Sequence, residues 1–442
     1  MRYLQFILLF CLVFCVQNSL QSHSEQFNNT DSTFIEDHTN QPLNLSDESP
    51  FLLNFSSENI NYNSSSRQLK KLIHIQRHGA RISEREGMEL TEKGKVQLRI
   101  LGHEIFEKYY NHVQNSSEFF QNIQVYSTNY NRTIQSAQYF LLGLFESQLD
   151  NGEREKHSDE VFINNLKSLI QIYKTNYNSD ILLNGWRQNE CIKQKELVKI
   201  QINSPFFKQM FSFLYPIVSD ISALINIQIN TFYDAYLLYD DIISQQIEGN
   251  ISEPLQMVLA NQTLFNTLRF MNDFSAIYTF YGSPLQVKIT TQTLMQKILE
   301  IFSSSPYSLL SPSLTVFSAH DITLDGIFAA LNLTNPRCLI ESYYQNQFSH
   351  LILEYPYFYA PLEICLASPS FAANIQIELY DDDSIQFVYN NKIYNIPSLS
   401  SLEELNNFVQ SFYLGIDSQF SCSSENHKYL RHHSEETKTS QL

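Results

Sequence analysis

Two kinds of segment alternate along this chain. In one, apolar residues form short continuous runs, and in the other they recur at helical spacing. Runs with the length of buried strands lie at 71–76, 123–127, 313–319, 350–355, 374–380 and 385–389. Apolar positions three and four residues apart, over about 92–110 and 132–147, predict a helix after each of the first two strands. Asp381-Asp382-Asp383-Ser384 predicts a hairpin turn between the last two runs. This alternation predicts an α/β fold, a doubly wound mixed sheet flanked by helices.

The region from 148 to 310 has a mostly helical apolar pattern. Phe206, Met210 and Leu214 recur at helical intervals, and aromatic-rich stripes of this kind are typical of a helical core. We therefore expect a mostly helical insertion subdomain at 148–310 within an α/β core formed by 69–147 and 311–425. A signal peptide at 1–20, a flexible leader at 21–68 and a polar tail at 426–442 complete the predicted organisation.

Three polar segments follow predicted strands. They are Arg77-His78-Gly79-Ala80-Arg81, Ser127-Thr128 with the nearby Arg132, and His320-Asp321. Open α/β sheets bind ligands at the carboxyl ends of their strands, and a helix N-terminus favours an anion. Guanidinium forks bind phosphate oxygens in a bidentate manner, and a histidine between them can attack or relay a proton. The alternatives are a surface basic cluster for the pentapeptide and a helix cap for Asp321.

Taken together, these segments resemble the histidine acid phosphatases, with RHGxR near the start, an arginine after a strand-like Ser-Thr segment and a late His-Asp pair. The resemblance extends to the helix entry at 87–98 and to the strand at 370–380, so that it spans about 70 to about 425. It implies hydrolysis of small-molecule phosphate monoesters through a phosphohistidine, without a cofactor. The roles that it implies are His78 as nucleophile, Asp321 as proton donor, and Arg77, Arg81, Arg132 and His320 as phosphate-binding residues.

The neighbouring charges predict protonation states. The arginines beside His78 should disfavour its protonated form and keep a lone pair available at acid pH. His320 is expected to be a cationic fourth donor. Asp321 is expected to carry a proton, which favours activity at acid pH. His74, inside the first strand, is predicted to be a core residue whose hydrogen bonds are satisfied.

The composition excludes some classes of partner. The 46 acidic and 29 basic side chains give a net charge of −17, and the chain has no basic stripe, so nucleic acid is not expected as a partner. The histidines and cysteines do not have the spacing of zinc ligands, and no metal is predicted.

The first residues predict entry into the secretory pathway. Met1-Arg2 and the apolar stretch 6–16 have the features of a signal peptide, and the alternative, a membrane anchor, would need a longer apolar stretch. The mature chain is predicted to have no membrane span and to be secreted or lysosomal. Acceptor asparagines for glycosylation lie at Asn28, Asn44, Asn54, Asn63, Asn115, Asn131, Asn250, Asn261 and Asn332. Asn131 is expected to stay bare, because it adjoins Arg132.

Four cysteines remain once the signal peptide is removed, and an oxidising compartment favours their pairing. They are Cys191, Cys338, Cys365 and Cys422. Four cysteines allow three pairings, and the spacing alone does not choose among them. The resemblance implies a bridge from Cys191 to Cys422, which leaves Cys338 with Cys365 around a β-hairpin.

The chain departs from the family pattern in the loop after Arg81. Only residues 82–89 separate Arg81 from Leu90, and Ser83 stands where many members carry a proline. The short loop implies a more open or differently roofed pocket and leaves the substrate open. One alternative function is a phytase, which would need additional basic residues that the overall acidity disfavours. Another is a catalytically silent secreted binding glycoprotein. The oligomeric state is also open, a homodimer included.

Overall fold

A mixed seven-stranded sheet is the centre of the structure, a computed structural model that describes residues 67–113, 115–146, 158–176, 180–187, 191–304, 311–344 and 364–415. The strands are β1 (Leu69–Arg77), β2 (Ile123–Ser127), β3 (Ile172–Lys174), β4 (Leu314–Ala319), β5 (Asn374–Tyr380), β6 (Ile385–Tyr389) and β7 (Lys392–Tyr394). Their spatial order is β3-β2-β4-β1-β5-β6-β7. The first four in this order run parallel, and β5, β6 and β7 add antiparallel pairs beyond β1. The predicted α/β fold with a mixed sheet is confirmed.

The described residues also form helices, some of which cover the two faces of this sheet. They are α1 (Glu92–Tyr110), α2 (Ser116–Phe119), α3 (Asn131–Glu146), α4 (Asp159–Leu169), α5 (Ile192–Asn203), α6 (Pro205–Ile225), α7 (Phe232–Glu248), α8 (Glu253–Ala260), α9 (Gln262–Tyr281), α10 (Pro284–Ser303), α11 (Asp321–Ala330), α12 (Pro336–Tyr344) and α13 (Leu402–Phe412). Short 3-10 helices lie at Glu84–Glu86 and Pro397–Leu399. The predicted helices at about 92–110 and 132–147 correspond to α1 and α3.

Each face of the sheet has its own apolar contacts. Ile75 of β1 and Phe317 of β4 belong to a buried cluster that also contains side chains of α10, α11 and α13. On the other face, His74 of β1 stacks on Phe140 of α3, with 4.5 Å between the ring centroids. Helix α1 packs tightly against α3 there, since a Cβ on Gly102 would lie 2.0 Å from the Phe140 carbonyl oxygen. The strands therefore alternate between two helical layers, as the pleat requires.

The described residues of the region 148–310 form helices α4 to α10 and also one strand, β3. This strand pairs with β2 at the edge of the sheet, so part of the region belongs structurally to the core sheet. Its three residues are half-buried or exposed, and Tyr173 is 43 % exposed. Such a strand carries no apolar run, which is why neither β3 nor the equally short β7 was predicted.

The cysteines agree in part with the predicted pairing. Cys338 and Cys365 form a disulfide. Cys338 lies on α12, so the bridge ties this helix to the segment that leads into β5, and the predicted hairpin between the two cysteines falls on residues outside the described ranges. Cys191 is also disulfide-bonded, and Cys422, its predicted partner, lies outside the described residues.

Other predictions also fall outside the described residues. They are the signal peptide, most of the leader, the polar tail and the strand at 350–355. Within the described ranges, no helix is long and apolar enough to cross a bilayer. In the same ranges, no group of three or more histidine, cysteine or acidic side chains is arranged to hold a metal ion.

Candidate active site

The ends of three parallel strands bring the predicted site residues together. In the register of the sheet, Arg77 at the end of β1 pairs with Ala319 of β4, and Ser127 at the end of β2 pairs with Ser318. His320 follows β4 immediately and is the N-cap of α11. Because β4 lies between β1 and β2, the His-Asp pair emerges between the pentapeptide and the Ser-Thr segment.

The pentapeptide loop packs directly on the first turns of α1. A Cβ on Gly79 would lie 2.3 Å from the carbonyl oxygen of Gly94, and a Cβ on Gly94 would lie 2.0 Å from that of Ala80. Both positions therefore need glycine for close backbone approach. The Gly79 amide donates to Oγ of Ser136 on α3, and the Ala80 amide donates to Oε1 of Gln97 on α1. Two helices thus fix the loop.

His78 is buried, and its ring is held by the backbone of its own loop. Nδ1 lies 2.9 Å from the carbonyl oxygen of Gly79. Since a carbonyl oxygen only accepts, the neutral ring carries its proton on Nδ1 and its lone pair on Nε2. Burial, and then the charges of three neighbouring arginines, lower the pKa of His78 well below its usual value. The predicted neutral imidazole is confirmed, with burial as the larger cause.

Arg77 pairs with the predicted proton donor. Its Nη2 lies 2.8 Å from Oδ2 of Asp321, and its Nη1 donates to the carbonyl oxygen of Pro369 at 2.5 Å. The guanidinium lies over the ring of Phe371, 4.2 Å from the centroid. The same ring lies 5.7 Å from that of His78. Phe371 is thus an apolar wall beside the two predicted residues.

Arg81 is held by a carboxylate on α7. Its Nη1 and Nη2 donate to the two carboxylate oxygens of Asp240 at 3.0 and 2.9 Å, and Nη1 also donates to the carbonyl oxygen of Ile82. The side chains of this pair are only 4 % and 7 % exposed. Burial alone would lower the pKa of Arg81, but Asp240 raises it above its usual value.

Arg132 lies on the first turn of α3, against an aromatic ring. Its guanidinium carbon is 4.6 Å from the ring centroid of Tyr130. Burial, and then the charge of Arg81, lower the pKa of Arg132. A guanidinium stays protonated at any working pH, so this residue remains a cation.

The three arginines share one unusual feature. The Nε atoms of Arg77, Arg81 and Arg132 are buried and have no hydrogen-bond partner in the part of the chain that the structure describes. A buried charged donor without a partner is unfavourable, because the protein does not replace its lost hydration. All three charges act on His78. The arrangement can bind an anion whose oxygens supply the missing acceptors.

His320 completes the group but carries no charge. Its Nε2 lies 3.1 Å from Oγ1 of Thr128, and its ring is edge-on to Tyr130 and His78 at 5.1 and 5.7 Å. Burial, and then Arg132, lower the pKa of His320 well below its usual value. The expectation of a cationic His320 is wrong, because burial among arginines favours the neutral ring. A neutral imidazole still has one N–H to donate.

Asp321 is ionised in this structure. Burial would raise the pKa of Asp321, but the charge of Arg77, together with further neighbouring charges and the hydrogen bond from the Ile322 amide, lowers the pKa below its usual value. The expectation that this carboxyl carries a proton at acid pH is therefore wrong for the ligand-free protein. Asp321 is also not the cap of α11, since His320 occupies that position. It is the first residue of the helix, and its Oδ1 accepts from the Ile322 amide at 2.8 Å.

Helix α7 covers the short loop after Arg81. The Glu84 amide donates to Oδ2 of Asp240 at 2.7 Å, and the hydroxyls of Tyr233 and Tyr236 donate to the Glu84 carboxylate. The expected alternatives were a more open or a differently roofed pocket. Within the described residues, the loop is roofed differently, by a helix.

Asp240 was not predicted as a site residue, and neither was its neighbour Asp241. Asp241 pairs with Arg85 of the same loop at 2.7 Å. Both acids are nearly buried. The only sequence signal is an acidic pair inside an aromatic and apolar helical stripe, and nothing in the sequence relates that stripe to a loop more than 150 positions earlier.

His74 is a core residue, but its hydrogen bonds are satisfied only in part. Nε2 lies 3.0 Å from Oε1 of Gln76, while Nδ1 has no partner among the described residues. Burial, with a contribution from the charge of Lys108, lowers the pKa of His74 to about 3. The predicted core location of His74 is confirmed. The prediction that its hydrogen bonds are satisfied is wrong for Nδ1.

Comparison with known proteins gives relatives and structural neighbours. The chain is 26% identical over 254 residues to the lysosomal acid phosphatase of Rattus norvegicus, and the match covers 56% of each protein. It is 25% identical over 253 residues to that of Homo sapiens, with the same coverage. The chain thus spans about half the length of the curated relatives it matches.

Two solved structures show the same fold. The multiple inositol polyphosphate phosphatase of Bifidobacterium longum, in complex with phosphate, has a TM-score of 0.56 at 13% identity, over 80% of this chain and 94% of that one. The phytase of Citrobacter braakii has a TM-score of 0.54 at 10% identity, over 81% of this chain and 100% of that one. At such identities the likeness concerns the fold alone.

A family model matches a longer part of the chain than the curated relatives do. The model of the histidine phosphatase superfamily (branch 2) matches residues 83–392. The match begins just after the pentapeptide and includes Arg132, His320 and Asp321. With well over half of its residues matched, the chain belongs to branch 2 of the histidine phosphatase superfamily.

Proposed function

We propose that this protein is an acid phosphatase that hydrolyses phosphate monoesters through a phosphohistidine on His78. The observation that carries the proposal is a buried, neutral imidazole next to three guanidinium groups whose Nε atoms lack partners. The anionic oxygens of a phosphate monoester are acceptors for the arginine N–H groups that lack partners. Its phosphorus atom is the electrophile that the imidazole lone pair can attack. The curated relatives named lysosomal acid phosphatase support the same function.

Binding is the first step. Arg77, Arg81 and Arg132 neutralise the phosphoryl oxygens, and each close charge pair contributes about 4 kcal/mol at an effective dielectric constant near 20. His320, a neutral ring whose Nε2 lies beside the Thr128 hydroxyl, completes the proposed phosphate-binding group. This charge neutralisation removes the repulsion that makes a phosphate monoester nearly inert in water.

The second step transfers the phosphoryl group. Nε2 of His78 forms a bond to phosphorus while the bond from phosphorus to the ester oxygen breaks, and the leaving oxygen takes a proton. Because Asp321 is ionised in the free protein, it receives this proton from the substrate. A phosphate monoester with a second pKa of about 6 is mainly the monoanion at pH 5. Asp321 accepts that proton and delivers it to the leaving oxygen, which favours acid pH.

The third step releases phosphate. Asp321, again a carboxylate, takes a proton from water as the water oxygen attacks phosphorus and the bond from Nε2 to phosphorus breaks, and it then passes this proton to the released phosphate. The imidazole is restored to its neutral form, held by the Gly79 carbonyl. No step requires a metal or another cofactor.

We also propose that the protein works in the lumen of the secretory pathway, secreted or lysosomal. The signal-like first residues support this, as does the disulfide between Cys338 and Cys365. The acceptor asparagines in the described ranges are exposed and available to glycans, with Asn131 proposed to stay bare; they are Asn115, Asn131, Asn250, Asn261 and Asn332. The proposed organisation keeps 148–310 as an insertion into the α/β core.

The test is hydrolysis of p-nitrophenyl phosphate at pH 5 by the purified chain and by two variants. His78→Ala should have no measurable turnover. His74→Gln, which replaces a second buried histidine of the same strand region, is the matched control and should keep turnover. Loss in both variants, or absence of activity in the parent, would contradict the proposal. Parallel assays with phytate separate a phytase from a general monoester phosphatase, and an inactive parent would favour the binding glycoprotein.

A further inference from the structure

We propose that Asp240 is a positioning residue that orients Arg81 toward the phosphate. Asp240 itself makes no contact with the reacting atoms in this proposal and acts only through the guanidinium. The inference rests on the proposed function, because it names what sets the geometry of one of the three phosphate-binding arginines.

The hydrogen bonds of Arg81 define which of its edges remains open. The end of the guanidinium, formed by Nη1 and Nη2, is occupied by the two oxygens of Asp240 at 3.0 and 2.9 Å. The second proton of Nη1 is directed to the carbonyl oxygen of Ile82 at 3.0 Å. The remaining edge has Nε, which is buried without a partner in the described ranges, and the second proton of Nη2. This edge is itself a two-donor fork, suited to two phosphate oxygens.

The Asp240 side chain is itself held in place by contacts other than the one with Arg81. Its Oδ2 also accepts from the Glu84 amide at 2.7 Å, so one carboxylate connects the arginine to the backbone of the next loop. Both side chains of the pair are nearly buried, which restricts their rotamers. Helix α7 presents Asp240 from a regular element whose start carries a capping box between Thr231 and Asp234. A rigid supporting residue of this kind maintains a productive geometry.

Charge alone would disfavour an acid at this position. A carboxylate beside an anion site repels the phosphate and cancels part of the charge of Arg81. Its presence is favourable to phosphate only if the orientation it imposes outweighs that repulsion. The two contributions have opposite signs, so removing the charge of Asp240 distinguishes them.

The experiment measures binding of inorganic phosphate by calorimetry, together with kcat and KM for p-nitrophenyl phosphate, for the full-length chain and its variants. Asp240→Asn should weaken phosphate binding and lower kcat/KM by about ten-fold or more, because a misplaced guanidinium loses its bidentate contact. Asp240→Glu, which keeps the carboxylate, should recover more than half of that loss on a logarithmic scale. Asp241→Asn is the matched control. It removes a charge from the next residue of α7, whose partner Arg85 is not a predicted site residue, and should change both quantities by less than about two-fold.

A double variant separates positioning from general damage. In the Arg81→Lys background, which has no fork to orient, Asp240→Asn should add less than about two-fold. Tighter phosphate binding in Asp240→Asn would overturn the inference, since repulsion would then outweigh orientation. The inference would also be overturned if Asp240→Asn lowered phosphate binding and kcat/KM as much in the Arg81→Lys background as in the parent. The binding measurement does not depend on turnover. If the parent binds inorganic phosphate but does not hydrolyse p-nitrophenyl phosphate, the proposed function is contradicted, and the role of Asp240 is still tested by the binding data.

Discussion

At the scale of the single residue, the Gly79 carbonyl decides which nitrogen of His78 is nucleophilic. Because that oxygen accepts a hydrogen bond from Nδ1–H, the lone pair is on Nε2 whenever the ring is neutral. Burial and the arginines then keep the ring neutral at pH values at which a free histidine would be charged. Tautomer and charge thus have separate causes, one in the backbone and one in the surroundings.

His78→Ala should abolish turnover and leave phosphate binding largely intact, since the guanidinium groups remain. Acid-labile phosphate should be trapped on the parent chain after rapid quenching with substrate, and not on the variant. Proteolytic mapping of the label to any other residue would contradict the assignment of His78.

Asp321→Asn separates proton transfer from helix stability. Asparagine keeps an oxygen for the Ile322 amide but loses the charge that pairs with Arg77, so the melting temperature should fall, and this loss of stability is the same whichever substrate is assayed. The amide cannot carry a proton to the leaving oxygen, so kcat should fall strongly for alkyl phosphates and less for p-nitrophenyl phosphate, whose leaving group needs little protonation.

Equal losses for both kinds of substrate would remove Asp321 from the proton-transfer step. The pH profile gives a second measurement. If Asp321 takes its proton from the substrate monoanion, kcat/KM should fall as the pH rises through the second pKa of the substrate, so this alkaline limb should shift when substrates of different pKa are compared.

At the scale of the element, the N-terminal part of α1 is the support of the pentapeptide loop. The loop lies so close to the helix that neither Gly79 nor Gly94 can carry a Cβ without backbone movement. The position of the predicted nucleophile therefore depends on a contact between a strand end and a helix that begins only eleven residues after Arg81.

Gly94→Ala should displace this loop. The added Cβ would lie 2.0 Å from the Ala80 carbonyl oxygen, and overpacking of this kind destabilises by about 1–3 kcal/mol. The free energy of unfolding should fall by that amount in urea titrations, and kcat/KM should fall further than stability explains. Val96→Ala, at an exposed position of the same helix, is the control. If Val96→Ala lowered the unfolding free energy and kcat/KM as much as Gly94→Ala does, the contact between Gly94 and Ala80 would not be the cause of the loss.

The elements that were predicted correctly are those with a strong local pattern. Strands β1, β2 and β4 are apolar runs, and α1 and α3 are periodic, so the loops that join them could be placed. The pairing of Arg81 with Asp240 could not be predicted, because it joins parts of the chain 159 residues apart and depends on how the helical region folds back. The predicted protonation states of His320 and Asp321 were wrong, because the pKa of each group depends on burial and on neighbouring residues that only the fold specifies.

At the scale of the whole molecule, the fold keeps three buried histidines neutral, His74, His78 and His320. The folded-state pKa of each lies below that of an unfolded histidine, so between the two values the unfolded chain binds more protons. The contribution of these histidines to stability is therefore complete above about pH 6.5 and decreases as the pH falls toward the folded-state pKa. These three residues thus destabilise the protein at the pH at which we propose that it works.

His74→Gln should remove part of this pH dependence. With a folded-state pKa of about 3, His74 destabilises the protein at pH 5 by about 2 kcal/mol relative to pH 7. Glutamine has no such titration and can keep the hydrogen bond to Gln76. The difference in unfolding free energy between pH 7 and pH 5 should therefore be smaller in the variant by about that amount. Parallel pH curves for the two proteins would show that His74 does not contribute.

The order of strands in the sheet has a consequence for biosynthesis. Strands β1 and β2 do not pair with each other, because β4 lies between them, and β4 begins at Leu314. At a synthesis rate of about 5–20 residues per second, β4 leaves the ribosome roughly 10–40 s after β2. Until then both apolar strands present open edges, which are templates for pairing with other chains. Shielding of the nascent chain by chaperones during this interval, more than the stability of the finished protein, should therefore determine the yield of active material in a foreign host.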